Sequence, residues 1–183
     1  MLHKIVFAGF GGQGVLLAGY ALAYAVMSED KYVTYLPAYG AEQRGGTANC
    51  TISISDEEIA SPVASAPNCA VIMNQPSLIR FRNQVAPAGT LLLNTTLVSG
   101  TVERDDVDVF HIQATKMAED LGSIKSTNMV ILGGFLGMTS YVKLNSILNI
   151  LKQIFPPHRH NMIKSNKQAI KAGYDYIKKQ KDQ

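Results

Sequence analysis

The chain has 183 residues, 46% hydrophobic and 17% charged, with a net charge of +3 and two cysteines. That length suits a single domain over residues 1–183, and the composition excludes a disordered chain, which would be less apolar and more charged. Cys50 and Cys69 are too few for a disulfide scaffold, a four-cysteine zinc site or an all-cysteine iron–sulfur cluster; one Cys50–Cys69 bridge stays open, although low cysteine use without a secretory signal favours a reducing cytoplasm.

From Ile5 to Met27 there is no charged residue, a length that by itself fits a membrane span or an export signal. Gly9, Gly11, Gly12 and Gly14 cluster around Gln13 in its middle, however, and a spanning helix does not readily hold so many. The expected parse is a strand over Lys4–Ala8, a glycine loop over Gly9–Gly14 and a helix over Val15–Met27, with no membrane association. Tyr32–Leu36 and Asn49–Ser55 are β-rich runs. Cys69–Met73 and Thr90–Leu93 have the short apolar pattern of strands covered on both faces. Ser77–Gln84 reads as a short helix, Val107–Ile112 as a strand and Ala114–Leu121 as a helix. Thr127–Thr139, Leu144–Ile154 and Asn161–Lys179 read as helices, with Pro156–Pro157 parting the last two. Strands that alternate with helices and give way to a helical C-terminus define an α/β fold, with a Rossmann-like, mostly parallel sheet flanked by helices.

Charge follows the same division. Residues 1–142 carry 8 basic and 12 acidic side chains, and residues 143–183 carry 9 and 2, so an acidic body precedes a basic end. The lysines from Lys164 to Lys181 fit a solvated helix face or a docking surface better than a nucleic-acid tract, which would mix in arginines and more aromatics.

Two glycine loops carry the candidate chemistry. Gly9-Phe10-Gly11-Gly12-Gln13-Gly14 fits G-x-G-x-x-G between a strand and a helix, where glycines permit close backbone approach and the helix start presents N–H groups. A dinucleotide site would also need an acid at the end of the second strand. That strand runs instead into Leu36-Pro37-Ala38-Tyr39, with Glu29 and Asp30 ahead of it, so the NAD(P) or FAD reading lacks one of its parts. The second loop follows: Tyr39, Gly40, Glu42, Arg44, Gly45 and Gly46 fall within eight residues. In a parallel sheet the loops after the first two strands share the carboxyl edge, so the two should be neighbours. Arg44 between glycines suits bidentate contact with a phosphate or carboxylate. A plain surface turn is the alternative.

Together these residues resemble the gamma subunit of 2-oxoacid:ferredoxin oxidoreductases, the group acting on pyruvate, 2-oxoisovalerate, 2-oxoglutarate and indolepyruvate. The resemblance rests on Gly9–Gly14 with Val15, on Tyr39-Gly40 with Glu42 and Arg44-Gly45-Gly46, on Asn74-Gln75-Pro76-Ser77, on Gly89, and on Asn128-Met129-Val130 with Leu132-Gly133. Asn94 stands where many relatives carry an acid.

The resemblance implies an accessory subunit of an enzyme that oxidatively decarboxylates a 2-oxoacid to an acyl-coenzyme A and passes the electrons to ferredoxin. Thiamine diphosphate, magnesium and iron–sulfur clusters would belong to alpha and beta partners, with delta as an optional fourth. This agrees with the absence of a Gly-Asp-Gly segment and with the two cysteines. Coenzyme A would be a co-substrate at a shared site. The residues the resemblance places there are Gly9, Gly11, Gly12, Gln13, Gly14, Tyr39, Gly40, Glu42, Arg44, Gly45, Gly46 and Asn74. No catalytic residue or metal ligand is expected, and the isolated chain should be inactive. A stand-alone nucleotide-binding module and a structural scaffold without ligand contact are the competing readings.

Val15–Met27 is apolar almost all round, and Thr127–Met138 poses the same question, so each needs a cover from the C-terminal helices or from another chain. His158 and His160 lack an evident third ligand and read as an exposed loop. Cys50 and Cys69 read as buried inert thiols. Ser77 has no evident His/Asp partner, and Asn74 and Asn94 fit crevice-lining or helix-capping roles.

Overall fold

The structure is a computed structural model that describes residues 1–40 and 46–182. Six strands form one sheet: β1 (His3–Phe10), β2 (Tyr32–Tyr39), β3 (Thr47–Ser55), β4 (Cys69–Ile72), β5 (Thr90–Asn94) and β6 (Asp108–Ile112), in the order β2-β3-β1-β4-β5-β6. β1, β4, β5 and β6 pair in parallel, and β3 runs antiparallel to both β1 and β2. Five strands therefore share one direction. The expected α/β architecture holds, with one reversed strand that the sequence reading did not anticipate.

The second strand does not stop at Leu36 but runs through Pro37 to Tyr39, with Pro37 opposite Cys50. A proline inside a strand is tolerated here because β2 is an edge. The described residues also form six α-helices: α1 (Val15–Met27), α2 (Gln75–Phe81), α3 (Ala114–Asp120), α4 (Thr127–Met138), α5 (Leu144–Ile154) and α6 (Ile163–Lys181). α2 starts two residues earlier than its sequence pattern suggests, because the Asn74 side chain accepts from Ser77 N–H at 2.9 Å and Pro76 suits the first turn. Pro157–Met162, expected to divide between a loop and the start of the last helix, forms a 3-10 turn, and Ile124–Ser126 forms another.

Strand alternation sorts the core into two clusters. Ile5, Phe7, Cys50, Ile52, Val71 and Leu92 join one with α1, α4, α5 and α6, and Val6, Ala8, Ala70, Ile72, Leu91 and Leu93 join the other with α2. Within the chain α1 is covered by β1, β2, β3, α4 and α5, which answers the first question that its apolar surface raised. α4 is buried along all twelve residues, chiefly against α6, with α3, β5 and β6 also in contact. Small residues make the α4–α6 contact possible. A Cβ on Gly173 would collide with the Val130 carbonyl oxygen, and one on Gly133 with that of Ile170. α5 buries Ile147, Leu148, Ile150 and Leu151 on one face, each contributing ~1.5–3 kcal/mol if fully removed from water.

Among the described residues no helix is long and apolar enough to cross a membrane.

Candidate functional site at the carboxyl edge of the sheet

β1 ends at Phe10 and α1 begins at Val15, so residues 11–14 turn over the carboxyl edge beside β4. Gln13 closes this turn. Its Oε1 accepts from Phe10 N–H at 2.7 Å and from Asn74 Nδ2 at 3.3 Å. Gly12 and Gly14 adopt φ of +97° and +72°, a region costly for residues with a Cβ. Gly14 also packs against Asn128, whose Nδ2 donates to the Gly14 carbonyl at 3.2 Å. Around Gly12 there is open space instead.

The second loop begins and ends beside the first. Gly40 N–H donates to the Thr47 carbonyl at 2.7 Å, and Gly11 N–H donates to the Gly46 carbonyl at 2.9 Å. Tyr39 is 74% exposed and shares a cleft of about 310 Å³ with Gly11, Gly12, Gly14 and Gly46. Gly9, Gly11, Gly12, Gln13, Gly14, Tyr39, Gly40, Gly46 and Asn74 thus gather at one edge. Gly9 is buried, and Gln13 and Asn74 shape the turns from beneath. Glu42, Arg44 and Gly45 lie outside the described residues.

Two further clefts open from Gly12. One, of about 420 Å³, lies between the start of α1, α4, the second 3-10 turn and α6; its lining includes Lys125, Asn128, Arg159 and Asn166. The other, of about 230 Å³, is lined by Gln13, Thr115, Lys125 and Thr127 among others. Lys125 and Arg159 are exposed, and neither forms an ion pair among the described residues. The sequence reading did not select Lys125, Arg159 or Asn166. Arg159 lay in the segment read as an exposed loop, and no local pattern marks Lys125 or Asn166. Asn128 stood out only through the family pattern.

The edge gathers backbone N–H groups that have no partner within α1. The first intrahelical bond of α1 runs from Ala18 N–H to the Gly14 carbonyl, so the N–H groups of Val15, Leu16 and Leu17 precede the ladder. Among the described residues no side chain caps this end, and no acid occupies its first turn. No group of three metal-ligating side chains occurs among the described residues. Cys50 and Cys69 are free and buried; burial pushes the Cys50 thiol up to about 12 and raises Cys69 as well, which leaves neither as a ready nucleophile.

This carboxyl-edge glycine site sits on a fold shared with solved oxidoreductase components. The chain belongs to the pyruvate ferredoxin/flavodoxin oxidoreductase family, whose model matches residues 4–176. It is 36% identical over 177 residues to ketoisovalerate oxidoreductase subunit VorA of Methanothermobacter thermautotrophicus, covering 96% of this chain and 36% of that one. It therefore spans about a third of that relative's length. It is 33% identical over 184 residues to 2-oxoglutarate synthase subunit KorC of Methanothermobacter marburgensis, covering 97% of both. The keto/oxoacid ferredoxin oxidoreductase gamma subunit from Geobacter sulfurreducens has the same fold, with a TM-score of 0.82 and 23% identity over 96% of this chain and 98% of that one. So does part of the 2-oxoglutarate:ferredoxin oxidoreductase from Magnetococcus marinus, whose structure holds 2-oxoglutarate, coenzyme A and succinyl-CoA. There the TM-score is 0.88 at 20% identity, over 98% of this chain and 31% of that one.

Proposed function

We propose that this chain is the gamma subunit of a heteromeric 2-oxoacid:ferredoxin oxidoreductase and lends its two glycine loops to a shared coenzyme A site. The observation that carries the reading is the junction of the loops at Gly11 N–H and the Gly46 carbonyl, 2.9 Å apart, beside the uncapped start of α1. Backbone donors with nearby cations suit the phosphates of an anionic coenzyme. The full-length match to KorC and the coenzyme A bound in the Magnetococcus marinus enzyme support the same assignment.

In this reading the alpha and beta subunits, with delta where present, carry thiamine diphosphate, magnesium and iron–sulfur clusters. The complex converts a 2-oxoacid to an acyl-coenzyme A and reduces ferredoxin. The residues of this chain bind and orient: Gly11, Gly12 and Gly14 admit close approach, Gln13 and Asn74 hold the turn, Tyr39, Gly40 and Gly46 form the second wall, and Glu42, Arg44 and Gly45 are assigned to the site by the family resemblance alone. Reconstitution tests it. The complex should reduce a dye in a 2-oxoacid- and coenzyme A-dependent manner only when this chain is present; equal activity without the chain would overturn the reading. Arg44→Ala should weaken coenzyme A use or assembly, and unchanged values for both would remove Arg44 from the site.

A further inference from the structure

Lys125 and Arg159 belong to neither glycine loop and lie 34 positions apart in sequence, yet they line the same cleft as Gly12 and Gly14. Each comes from a 3-10 turn, Lys125 from Ile124–Ser126 and Arg159 from Pro157–Met162. Both side chains are exposed and have no ion-pair partner among the described residues.

Resting on the coenzyme A reading above, we propose that Lys125 and Arg159 form the phosphate clamp of this site, facing the N–H groups at the start of α1. Leu17, Met129, Phe155 and Met162 line the apolar part of the cleft. Asn166 lines it as well, at only 3% exposure. Its Oδ1 accepts from the Ser126 hydroxyl at 3.4 Å. Two cations and helix N–H groups around an apolar trough match a molecule with phosphates at one end and an apolar arm. Coenzyme A has that composition, and its 420 Å³ receptacle is of the size that small-molecule sites occupy.

The test uses the assembled oxidoreductase with Lys125→Ala, Arg159→Ala and the double variant. Each single change should raise the KM for coenzyme A about tenfold, the loss of one charge-assisted contact, while the KM for the 2-oxoacid stays put. Arg159→Lys should recover part of the loss. Competitive inhibition by adenosine 3′,5′-bisphosphate, the phosphate-bearing end alone, should weaken in parallel. A KM for coenzyme A within twofold of wild type in the double variant, or an equal rise in the KM for the 2-oxoacid, would overturn the clamp. A wild-type complex whose turnover ignores coenzyme A would instead overturn the parent reading, so the two failures are distinguishable.

Discussion

The side-chain oxygen of Gln13 lies 3.3 Å from Asn74 Nδ2 and 2.7 Å from Phe10 N, tying the turn after β1 to the end of β4. Asn74 turns its other face to α2, accepting from Ser77 N–H at 2.9 Å. One short chain of amides therefore orients two adjacent strand-to-helix connections, and the glycine edge depends on both.

Gln13→Ala leaves the Phe10 N–H and the Asn74 amide without this acceptor. The expected loss is about 1–2 kcal/mol of folding free energy. Urea unfolding of the isolated chain measures it; a midpoint equal to wild type would show that Gln13 does not hold the turn.

Glu29 follows α1 and reaches the start of α5. Its Oε1 accepts from Lys143 N–H at 2.7 Å and from Ser146 Oγ at 2.6 Å, and Lys31 Nζ stands 3.6 Å from Oε2. Burial opposes its charge, but the bonds from Ser146 and Lys143 together with the lysine charge prevail and hold the carboxyl below its ordinary 4.5. A depressed folded-state pKa contributes stability that is present above the unfolded value and lost as pH falls through the folded one. Glu29→Gln should therefore be less stable than wild type at pH 7, with the difference shrinking below pH 4.5. Denaturation across that range checks it, and a difference independent of pH would exclude the carboxylate as its source.

Much of this architecture is legible in the residues, for physical reasons that differ by element. The β1–loop–α1 unit is readable because glycines sit where the chain must turn sharply, and Leu144–Ile154 because its apolar residues share one helical face. Alternation in Asn49–Ser55 shows which side chains point inward but carries no sign of strand direction, so the reversal of β3 is invisible locally. The cover of α1 is equally hidden, since apolar surface announces that something packs there without saying what. The cleft depends on contacts such as Asn128 to Gly14, 114 positions apart, which no local spacing encodes.

The two thiols should be silent in the native chain. Cys50 is fully buried with its Sγ 3.8 Å from the Val15 carbonyl, and Cys69 is 1% exposed. Burial raises both pKa values, Cys50 to about 12, so at pH 8 the reactive thiolate is scarce as well as inaccessible. A chromogenic disulfide reagent should titrate no thiol in the folded chain and two after unfolding in guanidinium. Rapid native reaction would contradict the buried placement.

Gly173 tests the close contact between α4 and α6. It faces the Val130 carbonyl oxygen and the Gly134 backbone nitrogen, with no room for a methyl group. Ala has the better helix propensity by ~1 kcal/mol, so an unpacked helix would gain from Gly173→Ala. Here α4 and α6 must separate to admit the new carbon, and overpacking of this kind costs about 1–3 kcal/mol. Because the obstacle is backbone rather than a side chain that can rotate away, the steric cost should win, and the variant should unfold at lower urea concentration. Lys171→Ala, at an exposed position two residues earlier, should stay within ~0.5 kcal/mol of wild type. A Gly173→Ala chain more stable than wild type would mean that α4 and α6 do not meet along this seam.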